Sequence, residues 1–101
     1  RVLAARPRRR LLYYLLDSTE ASVEELAEVL VGWEITERGG MATTDDYDMM
    51  MARLCHAHLQ ELAAAGFVNY NPDTETVALG QVQAGVRQLL EDSIAAEAEP
   101  D

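Results

Sequence analysis

The chain has 101 residues, 49% of them hydrophobic, which is enough for one domain that buries roughly 60 to 68% of its unfolded surface. Eighteen acids oppose eight bases, all of them arginine, for a net charge of −10, so counterion release would contribute little to any nucleic-acid affinity. No apolar run approaches the roughly 20 residues that span a bilayer, and the single cysteine, Cys55, has no partner for an internal disulfide, which fits a soluble protein of a reducing cytoplasm.

Arg6, Arg8, Arg9 and Arg10 open the first predicted helix, with Pro7 in its first turn, where a missing N–H costs nothing. Leu11, Leu12, Tyr14, Leu15 and Leu16 leave that helix almost no polar face, so it should lie centrally. Ser22-Val23-Glu24-Glu25 then reads as a capping box in which Ser22 and Glu25 reciprocally satisfy backbone donors. Val23, Leu26, Ala27, Leu30 and Val31 form the inner face of this second helix. From Thr36 to Ala42 the periodicity breaks at Gly39-Gly40, predicting a mobile connection longer than that of a tight helix-turn-helix.

Thr43 or Thr44 caps a third helix, with Asp45, Asp46 and Asp48 in or near its first turn, where the helix dipole favours negative charge. Tyr47, Met50, Met51, Leu54, Leu59 and Leu62 recur at steps of three, four and five and form one apolar stripe. The helix should end near Ala65, with Gly66 as its left-handed cap. Phe67 to Tyr70 and Thr76 to Leu79 are short, alternating and rich in β-branched and aromatic residues, and Asn71-Pro72-Asp73-Thr74 between them favours a tight reversal. A hairpin follows. Gln81 to Ala96 reads as a fourth helix whose stripe of Val82, Val86, Leu89 and Leu90 either packs back on the domain or pairs with a second copy. The sequence thus divides into a domain over 1–80, a C-terminal helix over 81–96 that could mediate a homodimer, and a frayed acidic tail over 97–101.

The order helix, helix, helix, hairpin, helix resembles the winged-helix superfamily: a mainly α fold with a two-stranded wing. Arg8-Arg9-Arg10, Glu25-Leu26-Ala27-Glu28 through Trp33-Glu34, and His58-Leu59 through Ala65-Gly66 are similar to a family of small haloarchaeal winged-helix proteins of unknown function, taken for transcriptional regulators from their fold. The absence of lysine and the excess of acids agree with a halophile, since molar salt screens the self-repulsion of such a surface. The resemblance implies duplex DNA as partner, read by the third helix and touched by the wing tip.

On that reading Thr44, Met49, Arg53 and His56, opposite the apolar stripe, face the major groove, and Arg6, Arg8, Arg9 and Arg10 meet phosphates. Asp45, Asp48 and the tip acids Asp73 and Glu75 oppose it, and the arginines can equally pair with nearby acids. The alternative is therefore a winged helix turned to protein association. Cys55 and His58 lie three apart on one helical face but lack a second ligand pair, so neither a metal nor any other cofactor is called for. No arrangement of nucleophile, base and acid, and no phosphate loop, points to an enzyme.

Overall fold

The computed structural model describes residues 2–98. After a single 3₁₀ turn at Val2–Ala4 the elements are α1 (Arg6–Ser18), β1 (Glu20–Ser22), α2 (Val23–Arg38), α3 (Thr44–Arg53), a π turn (Leu54–His58), α4 (Leu59–Ala64), β2 (Val68–Asn71), β3 (Thr76–Leu79) and α5 (Ala84–Ala98). The described chain is mainly helical with one small antiparallel sheet of order β1-β3-β2.

That sheet has one strand more than the hairpin expected from sequence. Thr19, at φ 64°, turns the chain out of α1, and Ala21 then pairs with Val77 while Leu79 N–H donates to Thr19 O at 2.8 Å. A three-residue strand is too short to carry a legible alternation, and only Ala21 of the three is buried. Within the hairpin, Tyr70 faces Val77 and Asn71 faces Thr76, so the reversal occupies residues 72–75, one position later than expected. Asn71 Oδ1 accepts from Asp73 N–H at 3.0 Å and thereby organises the turn from its last strand position.

One helix end and the capping pattern also differ from expectation. The second helix continues through Thr36 to Arg38, because Thr36 Oγ1 returns to Gly32 O at 2.9 Å and Gly39 N–H closes the last turn on Ile35 O at 2.7 Å. The connection is consequently 39–43. Ser22 Oγ accepts from Glu25 N–H at 3.0 Å, but the Glu25 carboxylate accepts from the Tyr14 hydroxyl, so Ser22 caps α2 without the reciprocal half of a capping box. The complete box lies one helix later: Thr43 Oγ1 accepts from Asp46 N–H at 3.1 Å and Asp46 Oδ2 from Thr43 N–H at 3.0 Å. These bonds hold the Asp46 carboxyl below its ordinary range, with a smaller contribution from Arg38.

Helix α4 ends as its glycine requires. Gly66, at φ 84°, donates to Ala63 O and Phe67 donates to Leu62 O, both at 3.0 Å, the paired bonds of a Schellman cap. The chain passes close to this cap again after β3: Gly80 N–H donates to Phe67 O at 2.7 Å and Gln81 N–H to Gly66 O at 3.0 Å. Those bonds tie down the start of the segment 80–83, which lies outside any helix or strand, and α5 starts only at Ala84.

The core gathers Leu11, Leu12 and Leu15 of α1, Leu26 and Leu30 of α2, Met50, Leu54, Leu59 and Leu62 along the third helical run, Val68 and Val77 of the sheet, and Leu90 of α5. Leu90 is completely buried and Val82 and Val86 pack against the core, while Leu89 is 53% exposed. The C-terminal stripe is therefore occupied by its own domain. Glu97, expected in a frayed tail, belongs to α5, and its side chain is only 12% exposed; residues 99–101 of that expected tail lie outside the described residues.

The reason for the ordered Glu97 is Arg10. This arginine is 3% exposed, with Nε donating to Glu97 Oε1 at 2.8 Å and Nη2 lying 2.6 Å from Glu37 Oε2 and 2.8 Å from Glu97 Oε1. The two Nη2 contacts are ion pairs without hydrogen-bond alignment. The guanidinium also lies 5.0 Å from the centre of the Trp33 ring. A charge so removed from water requires opposite charge around it, and α2 and α5 supply it.

Candidate nucleic-acid interface

The face of α3 that sequence assigned to a partner is free. Thr44, Asp45, Asp48, Met49, Ala52, Arg53 and His56 are all exposed, while Met50 and Leu54 on the opposite side are buried. The capping box at Thr43 fixes where this face begins, and the buried stripe fixes its rotation. Charge is not uniform along it.

The N-terminal half is acidic. Desolvation raises the pKa of Tyr47, and Glu24 and Glu28 of α2, Asp48 of α3 and Glu75 of the hairpin tip push it further up. The field of these four carboxylates reaches one ring, so the side of the molecule shared by α2, the start of α3 and the tip is electronegative. Asp46 is paired with Arg38 at 3.2 Å.

The C-terminal half carries the positive groups. Arg53 has no ion-pair partner among the described residues. Just beyond it, Arg8 Nε donates to His58 Nδ1 at 3.0 Å, which brings the start of α1 against the π turn. Burial first, and then the charges of Arg8 and Arg53, lower the His58 pKa, so the imidazole is held neutral with Nδ1 as acceptor. Arg8, whose Nη1 also donates to Val2 O at 3.3 Å, and Arg53 thus both act on His58, and exposed His56 stands two positions before it.

The other N-terminal arginines are directed elsewhere. Arg6 pairs with Glu37 at 3.3 Å. Arg9 donates to the carbonyls of Leu3 at 3.0 Å and Ala4 at 2.9 Å and lies 3.9 Å from Glu97. Arg10 is enclosed between α2 and α5. Of the four arginines read as phosphate contacts, only Arg8 is placed beside the third helical run.

The π turn is the part of this site that the sequence reading did not name. Leu59 N–H bonds to Leu54 O, five residues back, and both leucines are fully buried. In an unbroken α-helix at about 100° per residue, positions five apart point roughly 140° away from each other. Only the wider turn lets both reach the core. The five-residue step from Leu54 to Leu59 is its signal in the sequence. Single π turns interrupting α-helices frequently accompany functional sites, and this one follows Arg53 and ends on His58. Within it Cys55 and His58 have different partners: the Tyr70 hydroxyl points to Cys55 Sγ at 3.9 Å, whereas His58 is engaged by Arg8.

No match is found among curated proteins or solved structures. A family described as a domain of unknown function (DUF7344) matches residues 1–78. With well over half of its length matched, the chain belongs to that family.

Proposed function

We propose that this protein is a winged-helix DNA-binding protein of a halophile, a transcriptional regulator that lays the exposed face of α3 in the major groove. The observation that supports the reading is an exposed helix face that carries Arg53 and His56 at its C-terminal end, with no ion-pair partner for Arg53 among the described residues. Arg53 is the base-reading candidate, since a guanidinium can donate two bonds to a guanine edge. Exposed His56, and half-buried Arg8 on leaving His58 and the Val2 carbonyl, would supply phosphate contacts. The hairpin tip, with Asp73 and Glu75, contributes shape and no charge attraction. The lack of lysine and the net charge of −10 support a high-salt host, in which repulsion between acids and phosphates is screened.

Anisotropy of labelled genomic duplexes, titrated with protein at potassium chloride from about 0.1 to 1 M, where the Debye length falls from about 10 to 3 Å, tests the proposal. A subset of fragments should bind, and Arg53→Ala should weaken binding by about 1 to 3 kcal/mol. Absence of binding at every salt level, or binding indifferent to Arg53→Ala, would sink it.

A second reading is supported by the acidic half of the same helix and by two exposed methionines, Met49 at 54% and Met41 of the preceding connection at 87%. Such a surface suits a basic protein partner. Binding lost on Asp48→Arg and retained on Arg53→Ala would favour this reading over DNA.

A further inference from the structure

A cleft of about 470 Å³ opens between α1, α2 and α5, on a surface distinct from the candidate interface. It is lined by Tyr13, Tyr14, Leu16 and Trp33 together with the exposed charged residues Asp17, Arg87 and Glu91, which form its charged rim. Tyr13 is 38% exposed and meets Trp33 edge to face, with ring centres 6.5 Å apart at 60°. Large rings left at a surface are the side chains that anchor protein interfaces.

The rim charges are the second observation. Arg6, Arg9, Arg10 and Arg38 are each paired with a carboxylate of this chain, but among the described residues Arg87, Glu91 and Asp17 have no ion-pair partner. Arg87 and Glu91 stand one turn apart on the same flank of α5. When two such helices pair antiparallel across a two-fold axis, each arginine comes opposite the other helix's glutamate, and the arrangement repeats itself by symmetry. The rim sums to −1 (one arginine, two acids), a small share of the whole chain's −10. Two copies therefore approach here with less repulsion than across the acidic faces.

We propose that the cleft is the self-association surface of this protein: a second copy docks on it, α5 antiparallel to α5, with Arg87 of each protomer on Glu91 of the other and Tyr13 of each inserted toward the partner's Trp33. Leu90 and Val86 of α5 take no part, being packed in their own domain. The inference does not rest on DNA binding, and its test uses no DNA.

Sedimentation equilibrium of the full chain should report a dimer. Arg87→Glu and Glu91→Arg, each of which sets like charges against each other twice across the axis, should weaken dimerisation at least tenfold. The double reversal Arg87→Glu with Glu91→Arg restores opposite charges and should recover the dimer. Circular dichroism of each variant confirms folding, and Tyr13→Ser, which changes no charge, should also shift the protein to monomer. A monomeric parent chain, single reversals that leave the dimer unchanged, or a double reversal no better than either single one would overturn the proposal.

Discussion

His58 illustrates how much a single residue's role depends on a neighbour 50 positions away. Its spacing from Cys55 was legible, but the Arg8 guanidinium on its Nδ1 was not, because nothing in local periodicity links the two. Its lowered pKa means that the unfolded chain binds a proton more readily than the folded one. Stability from this group is then fully present above the ordinary histidine value of about 6.5 and declines as pH falls through the lower folded value. Urea midpoints measured from pH 8 to about 5 should fall toward the acid side, and His58→Gln should flatten part of that slope. An unchanged slope would place the titration elsewhere. Arg10 makes the same point about charge: it was legible as one of a basic cluster, yet Trp33, Glu37 and Glu97 together determine that it is interior.

Among the elements, those with long hydrophobic periodicity were readable and those set by backbone approach were not. Helices α1 and α2, the stripe from Tyr47 to Leu62, the Gly66 cap and the hairpin all follow from spacing and turn chemistry. Strand β1 depends on Thr19 adopting a left-handed conformation, and the late start of α5 follows a segment tied down by Gly80 bonding to Phe67 O; neither leaves a pattern. Gly80 is demanding for a separate reason: a Cβ there would sit 2.5 Å from Gly66 O, a backbone atom. Gly80→Ala should displace the β3–α5 connection from the helix cap and destabilise the fold by about 1 to 3 kcal/mol, read as a lower urea midpoint. Gly85, with open space around its Cβ position, is the control, and Gly85→Ala on exposed helix should leave stability equal or slightly higher. The π turn was written in the sequence as a five-residue step but not distinguished there from an ordinary irregular stripe, since only burial of both Leu54 and Leu59 makes the wider turn necessary.

At the scale of the whole molecule, α5 completes the core even though the family match ends at residue 78. Leu90 is fully buried against the rest and Glu97 is paired with Arg10. Loss of one buried leucine typically costs about 2 to 5 kcal/mol, a large part of the roughly 5 to 15 kcal/mol that holds a domain together. A chain ending at Gln83 should therefore lose its cooperative thermal transition; a sharp unchanged melt would show that the first 83 residues close a core alone. The position of the charges adds one consequence. The most buried attraction in this fold joins Arg10 to Glu97, at 3% and 12% exposure, whereas the Arg6–Glu37 and Arg38–Asp46 pairs and acids such as Glu24, Glu28, Asp48 and Glu75 lie nearer to solvent. Added salt screens those outer charges, attractive and repulsive alike, far more than the buried pair. The same electrolyte that relaxes the surface therefore leaves the internal clamp on α5 largely intact, so rising salt should part the outer pairs before it loosens the last helix.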